Sequence, residues 1–93
     1  MPEKKQLEWS PRSQVNVERI RAYIAADNPK AAQDVVDEIV ISAAGLRDFP
    51  LLGKPWKRKS RKLVLTKFPF VLIYKLTPSK VVVLAVAHHR MKA

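Results

Sequence analysis

The sequence contains no cysteine among its 93 residues. This absence excludes thiolate chemistry, disulfides and cysteine zinc sites, and it is typical of proteins in a reducing compartment. Long apolar runs are also missing, since the longest, VVVLAVA at 81–87, is far shorter than the roughly 20 residues that span a bilayer. The N-terminus, MPEKKQLEWS, places charge before any apolar run and lacks a signal-peptide cleavage site. We therefore expect a soluble, cytoplasmic protein with no membrane partner.

Acidic residues are absent from the second half of the chain. All eight lie between Glu3 and Asp48, where seven lysines and arginines nearly balance them, whereas residues 49–93 carry eleven basic residues. The first part therefore has a net charge of −1 and the second of +11, which together give the formal +10. Such a field favours a polyanionic partner, either nucleic acid or an acidic protein segment. The densest stretch is KPWKRKSRK at 54–62.

The composition is that of a folded globular domain. Hydrophobic residues make up 47% and charged residues 28% of the chain, so it can form a core without disulfides or a structural metal. Two separate cores would each need roughly 50 residues, which favours a single domain over residues 1–93. A chain of this kind needs no cofactor to fold, and we predict none.

Two helices are indicated in the first half of the chain. Ser10 and Pro11 form a start signal, with the serine as N-cap, and apolar residues continue at helical spacing to about Ala26. Asp27 or Asn28 then caps a second helix that begins at Pro29. Its apolar stripe follows helical spacing at Ala32, Val35, Val36, Ile39, Ala43 and Leu46. The short connection predicts a helical hairpin.

Strands are predicted at both ends. QLEW at 6–9 alternates polar and apolar residues, and three β-branched-rich runs, RKLVLT, FVLIYKL and KVVVLAVAH, follow the breaker DFPLLGKP. Their short connectors predict adjacent antiparallel strands. The order β-α-α-β-β-β predicts an α+β fold, with the N-terminal strand and helical hairpin packed on a small, largely antiparallel sheet. Val71, Ile73 and Lys75 share the face away from Tyr74, and because both faces are apolar we expect something to cover this second face too.

These segments resemble the ParE/RelE superfamily of small bacterial toxins from type II toxin–antitoxin modules. WSPRSQVNVERIRAYIAADNPKAAQDVVDEI looks like the family's helical hairpin, LRDFPLLGKP like its connector, and SRKLVLTKFPFVLIYKL with VVVLAVAHHR like its terminal strands. The resemblance implies a RelE/ParE-like fold. It also implies a cognate, ParD-like antitoxin whose acidic, amphipathic C-terminal segment wraps the toxin.

The two branches of this superfamily imply different targets. RelE-like members cut messenger RNA on the ribosome, and their strand usually carries an arginine three positions before its tyrosine. Val71 stands there relative to Tyr74, and a second family arginine would fall near Thr66. RKLV at 61–64 and the short turn after it are similar to the ParE pattern. The resemblance therefore implies a gyrase inhibitor without catalysis, acting in growth inhibition and plasmid stabilisation, and the alternative is a RelE-like endoribonuclease.

Candidate chemistry in the ribonuclease alternative depends on His88, Arg61 and Arg90. Attack by a 2′-hydroxyl needs a base, an acid and cations that stabilise the phosphate charge, which these residues could supply. A histidine at a strand end is, however, more often solvated or hydrogen-bonded than catalytic. The pair His88 and His89 is also too small for a metal site, which needs about three or four ligands. We therefore predict no metal.

A binding surface is the favoured role of the basic stretch, although charge runs are often simply solvated loops. Trp9 and Tyr74 are expected in the core, whereas Trp56 is the surface aromatic or a cap over the second sheet face. An acidic antitoxin segment could cover that face while its carboxylates meet the cations. The predicted antitoxin- or target-binding residues are Trp56, Lys57, Arg58, Lys59, Arg61, Lys75, His88 and Arg90.

Overall fold

A computed structural model describes residues 4–89 as two helices and a five-stranded sheet. The elements are β1 (Gln6–Trp9), α1 (Pro11–Ala25), α2 (Pro29–Gly45), β2 (Lys54–Pro55), β3 (Arg61–Val64), β4 (Phe70–Leu76) and β5 (Lys80–His88). The strand order is β1-β5-β4-β3-β2, with β1 parallel to β5 and all other pairs antiparallel. This arrangement confirms the predicted α+β fold and adds β2, a two-residue strand inside the basic stretch that the sequence pattern did not predict.

Both helices begin at side-chain caps. Ser10 Oγ accepts a hydrogen bond from Ser13 N at 3.1 Å and donates one to Leu84 O at 3.0 Å, so this cap also ties α1 to β5. At the second helix, Asn28 Oδ1 accepts from Ala31 N at 3.1 Å. Of the two predicted capping candidates, Asn28 is therefore the one used, because its side chain satisfies an otherwise unpaired N–H of the first turn.

The core lies between the helices and one face of the sheet. The buried stripe of α2 consists of Ala32, Val35, Ile39, Ala43 and Leu46, whereas Val36 is only half-buried. Leu72, Val83 and Val86 meet this stripe from the central strands, and Val17 and Ile20 of α1 pack beside it. Burial of these apolar side chains packs both helices against this face of the sheet.

A bulge keeps the long strand β5 in phase with the core. Ile73 pairs with Ala85 and Tyr74 with Val83, so Leu84 is an extra residue in β5. Val86 consequently faces the helices again after the bulge. Within residues 4–89, no helix is long and apolar enough to cross a membrane.

Removal of the Ser10 hydroxyl should destabilise the fold. Ser10→Ala loses the α1 cap and leaves the Leu84 carbonyl without this donor, so we expect the free energy of unfolding to fall by about 1–2 kcal/mol. Urea denaturation followed by circular dichroism measures the change. Ser79→Ala, at an exposed loop position, is the matched control and should leave the midpoint unchanged. Equal stability of Ser10→Ala and the parent would contradict the assigned cap.

Candidate functional site

The sheet face opposite the helices is apolar at its centre. Val71, Val82 and Ala85 are only 6%, 7% and 8% exposed, yet none of them belongs to either core cluster formed with the helices. We call this surface the open face; its apolar members in the strand register are Val64, Val71, Ile73, Val82, Ala85 and Ala87. Val64 at its border is 51% exposed. The prediction of a second apolar face is confirmed.

Lysines border the open face on the side of β2, β3 and β4, whereas Glu8 of β1, which pairs with Val82, lies on the same face at the other edge and forms an ion pair with Lys80. Lys62 pairs with Ile73 across β3 and β4, and Lys75 pairs with Val82 across β4 and β5, so both lysines point to this side of the sheet. Lys54 stands opposite Lys62 in the hairpin. The pattern of apolar centre and cationic border suits an amphipathic, acidic segment better than a neutral one.

The basic stretch folds into a tight hairpin, which we call the basic hairpin (residues 54–62). Trp56 N donates to Ser60 O at 2.8 Å and Ser60 N donates to Lys57 O at 3.0 Å. Between them, Arg58 has φ 54° and Lys59 has φ 62°, both in the left-handed region. This geometry matches a type I′ turn, in which Asn-Gly is the usual pair because other side chains are disfavoured at positive φ.

Trp56 organises the cations of the basic hairpin. The Nζ atom of Lys62 lies 4.1 Å from the centre of the Trp56 ring and that of Lys57 lies 5.5 Å from it, both within the range of cation–π attraction. The indole is 40% exposed, which places it at the surface as expected. Lys62 was not among the predicted binding residues, although strand alternation beside Arg61 would have placed it on the open face.

Arg61 is held by the loop that precedes the hairpin. Its Nε donates to Gly53 O at 2.9 Å and its Nη2 donates to Leu51 O at 3.2 Å. The same loop is fixed by Tyr74, whose buried hydroxyl donates to Pro50 O at 2.7 Å and accepts from Gly53 N at 2.9 Å. Tyr74 is fully buried, which confirms its predicted core role. Arg61 thus has a structural role that its charge alone did not indicate.

Gly53 is required where the loop meets Tyr74. A Cβ atom at this position would lie 2.7 Å from both Cε1 and Oη of the tyrosine, closer than real contacts permit. This loop, which we call the anchored loop (residues 46–53, between α2 and β2), also presents three large apolar side chains to solvent, since Phe49, Leu51 and Leu52 are each more than 60% exposed. The loop therefore combines a fixed backbone with an apolar outer surface.

The structure does not bring the candidate ribonuclease residues together. His88 pairs with Phe70, and their rings meet edge to face at 5.5 Å. Arg61 pairs with Tyr74, four residues further along β4, which separates the two positions by about 13 Å along the strand. Arg90 lies outside the described residues. Of the predicted binding residues outside the basic hairpin, Lys75 lies on the open face, where it pairs with Val82.

Within residues 4–89, the basic hairpin takes part in no ion pair. Four ion pairs occur within residues 4–89, joining Lys4 to Asp48, Arg21 to Glu18, Lys30 to Asp34 and Lys80 to Glu8. None of them includes a residue of the hairpin. Its positive charge is therefore available to a partner rather than neutralised within the described chain.

Two shallow depressions lie elsewhere on the surface. One is lined by Trp9, Gln14, Val17, Glu18 and Val40, and the other by Asp34, Asp37, Glu38, Ile41, Lys67 and Phe68. Neither contains a predicted site residue. Trp9 also packs against the core, as predicted. Over residues 4–89, no three His, Asp or Glu side chains are grouped so that they could hold a metal ion.

Comparison with known proteins identifies the family. The family model described as the ParE toxin of the type II toxin–antitoxin system, parDE, matches residues 7–93. The chain belongs to the ParE toxin family. A curated relative from Sinorhizobium fredii (strain NBRC 101917 / NGR234), named "Putative toxin Y4kP", is 35% identical over 86 residues, which cover 91% of this chain and 88% of that protein. The resemblance noted from sequence is thereby confirmed.

Solved structures agree with the ParE-family fold. A chain of the chromosomal ParDE toxin–antitoxin system from P. aeruginosa superposes with a TM-score of 0.80 at 20% identity, covering 91% of this chain and 96% of that chain. A chain of the RelBE2 toxin–antitoxin complex from Mycobacterium tuberculosis gives a TM-score of 0.63 at 19% identity, covering 91% and 98%. At these identities the likeness concerns the fold alone.

Removal of the Tyr74 hydroxyl should loosen the anchored loop. Tyr74→Phe leaves the Gly53 N–H and the Pro50 carbonyl without their shared partner, so we expect a loss of about 1–3 kcal/mol in unfolding free energy. Hydrogen exchange should also quicken at Gly53. Tyr23→Phe, at a side chain 83% exposed, is the control and should change stability little. Identical behaviour of the two variants would contradict the anchoring role of Tyr74.

Relief of the left-handed turn should stabilise the protein. Arg58→Asn with Lys59→Gly provides residues that tolerate positive φ, and we expect a gain of about 1–2 kcal/mol in unfolding free energy. Chemical denaturation measures it. Arg58→Ala with Lys59→Ala removes the same two charges but keeps disfavoured residues in the turn. A gain of the same size in this control would show that charge repulsion, rather than backbone strain, opposes the turn.

Proposed function

We propose that this ParE-family chain is a toxin that inhibits DNA gyrase by binding it, and that a cognate, ParD-like acidic antitoxin neutralises it. The observation that carries the proposal is the apolar open face with its cationic border on a ParE-family chain. Such a surface provides area for a tight protein contact and a positive field that attracts an acidic partner. A soluble, cytoplasmic setting fits both proposed partners.

The antitoxin occupies the open face in this proposal. An amphipathic segment packs its apolar side chains against Val64, Ile73 and Ala87, the members of the face that are not already buried, while its carboxylates meet Lys62 and Lys75. Apolar burial then sets how slowly the complex dissociates, and charge sets how quickly it forms. A segment of this kind folds on binding, which allows a short chain to cover a large surface.

Gyrase inhibition without catalysis is favoured over messenger RNA cleavage. A ribonuclease needs its acid, base and phosphate-stabilising cations within reach of one phosphate. In the described residues, His88 and Arg61 are separated by about 13 Å along the sheet. The guanidinium of Arg61 is also directed toward the carbonyls of Gly53 and Leu51. These two observations count against the RelE-like alternative.

The target is tested by parallel assays with the purified protein. We expect it to inhibit gyrase supercoiling of plasmid DNA and to leave translated messenger RNA intact in primer extension. Cleavage of ribosome-bound messenger with no effect on gyrase would refute the proposal.

The antitoxin contact is tested by two variants with different expected kinetics. Charge reversal in Lys57→Glu, Arg58→Glu, Lys59→Glu should slow association and flatten its salt dependence. Ile73→Ala, at the centre of the open face, should mainly speed dissociation, because it removes apolar area that the antitoxin would bury. Surface plasmon resonance across a salt series measures both rates. Equal salt slopes for the charge-reversal variant and the parent would contradict the steering role.

A further inference from the structure

We propose that the tip of the basic hairpin, formed by Lys57, Arg58 and Lys59, binds the phosphate backbone of double-stranded DNA. The inference deepens the proposed inhibition of gyrase, an enzyme that holds DNA, and for its biological role it rests on that proposal. It assigns the protein a direct contact with nucleic acid in addition to its protein partners.

The first argument is the charge of the tip. All three side chains are exposed, and the four ion pairs within residues 4–89 involve none of them. Lys54 and Lys62 add two further cations at the base of the same hairpin. Phosphate contacts by lysine and arginine release counterions from DNA, and this sequence-independent effect supplies most of non-specific affinity.

The second argument is that the tip is preorganised. Ser60 N and Ser60 Oγ both donate to Lys57 O, and Arg58 and Lys59 are held at positive φ between them. A turn of this type is ordinarily built from asparagine and glycine, so two cationic residues there are unfavourable for folding. Residues held in disfavoured backbone conformations cluster at functional sites. The strain is accounted for if the turn must present cations.

The third argument separates DNA from a protein partner. Tight protein interfaces depend on buried aromatic and apolar anchors, and the tip has none of its own. The nearest aromatic ring, that of Trp56, has Lys57 and Lys62 placed against it. Phosphate binding needs charge and hydrogen-bond donors alone. The apolar side chains that a protein partner would bury lie instead on the open face and in the anchored loop.

The fourth argument favours duplex over single-stranded DNA. Proteins that bind single strands stack bases on exposed aromatic rings. Lys57 and Lys62 already lie over the Trp56 ring, so a base would have to displace them in order to stack there. A two-stranded hairpin such as β2–β3, in contrast, has a width that the major groove of duplex DNA admits. The same cations would attract antitoxin carboxylates, so antitoxin and DNA would compete for the tip.

The experiment measures binding of a short, labelled DNA duplex by fluorescence anisotropy over a salt series, without gyrase. Lys57→Gln, Arg58→Gln, Lys59→Gln should reduce the slope of log affinity against log salt by about 2.7, at about 0.9 for each phosphate that the variant no longer neutralises. The matched control is Arg12→Gln, Arg19→Gln, Lys30→Gln, which removes three exposed cations from the helices. We expect its slope to equal that of the parent.

Three results would overturn the inference. They are unchanged DNA binding in the tip variant, an equal reduction of the slope in the helix control, and failure of the tip variant to bind antitoxin while DNA binding persists. Arg58→Gln alone, expected to lower the slope by about 1, serves if the triple variant does not fold. Because gyrase is absent, the two proposals fail separately: DNA binding without inhibition refutes only the gyrase proposal, and inhibition without DNA binding refutes only this one.

Discussion

The hydroxyl of Tyr74 connects the core to the surface that we assign to partners. Its ring is fully buried among core residues, and its oxygen holds both Pro50 and Gly53 of the loop between α2 and β2. Arg61 secures the same loop from the neighbouring strand. Since β2 begins directly after Gly53, the position of the basic hairpin depends on this contact. The buried Tyr74 hydroxyl therefore fixes the loop against the core, and the loop in turn fixes where the basic hairpin begins.

Division of charge between the two halves of the chain becomes a spatial division in the fold. Within residues 4–89, the acidic residues belong to β1, the helices and their adjoining turns, whereas the strands after Asp48 carry cations without acids. Helix packing on one face of the sheet leaves most of the other face to the basic half, with Glu8 of β1 at its edge. An attractive field for polyanions and an apolar surface thus lie side by side. The cations can then set how fast a complex forms, while the apolar residues set how slowly it dissociates.

Local signals in the sequence were sufficient for most of the fold. Ser10 and Asn28 cap the helices because their side chains satisfy backbone donors close to them in sequence, and strand alternation correctly assigned Val71 and Ile73 to a second apolar face. The left-handed turn was not predictable in this way, because Arg58 and Lys59 are residues that normally avoid positive φ. Strand β2 was missed because two residues show no periodicity.

Sequence by itself determined the family, the element order and the asymmetry of charge, since these depend on residue type and short-range spacing. Tertiary structure decided which cations are available to a partner. Arg61 donates to loop carbonyls that lie eight and ten positions before it, while Lys62, one residue later, stacks on Trp56. Strand pairing also separated His88 from Arg61. Neighbours in sequence point to opposite faces of a sheet, and only the register of the partner strands establishes what each side chain meets.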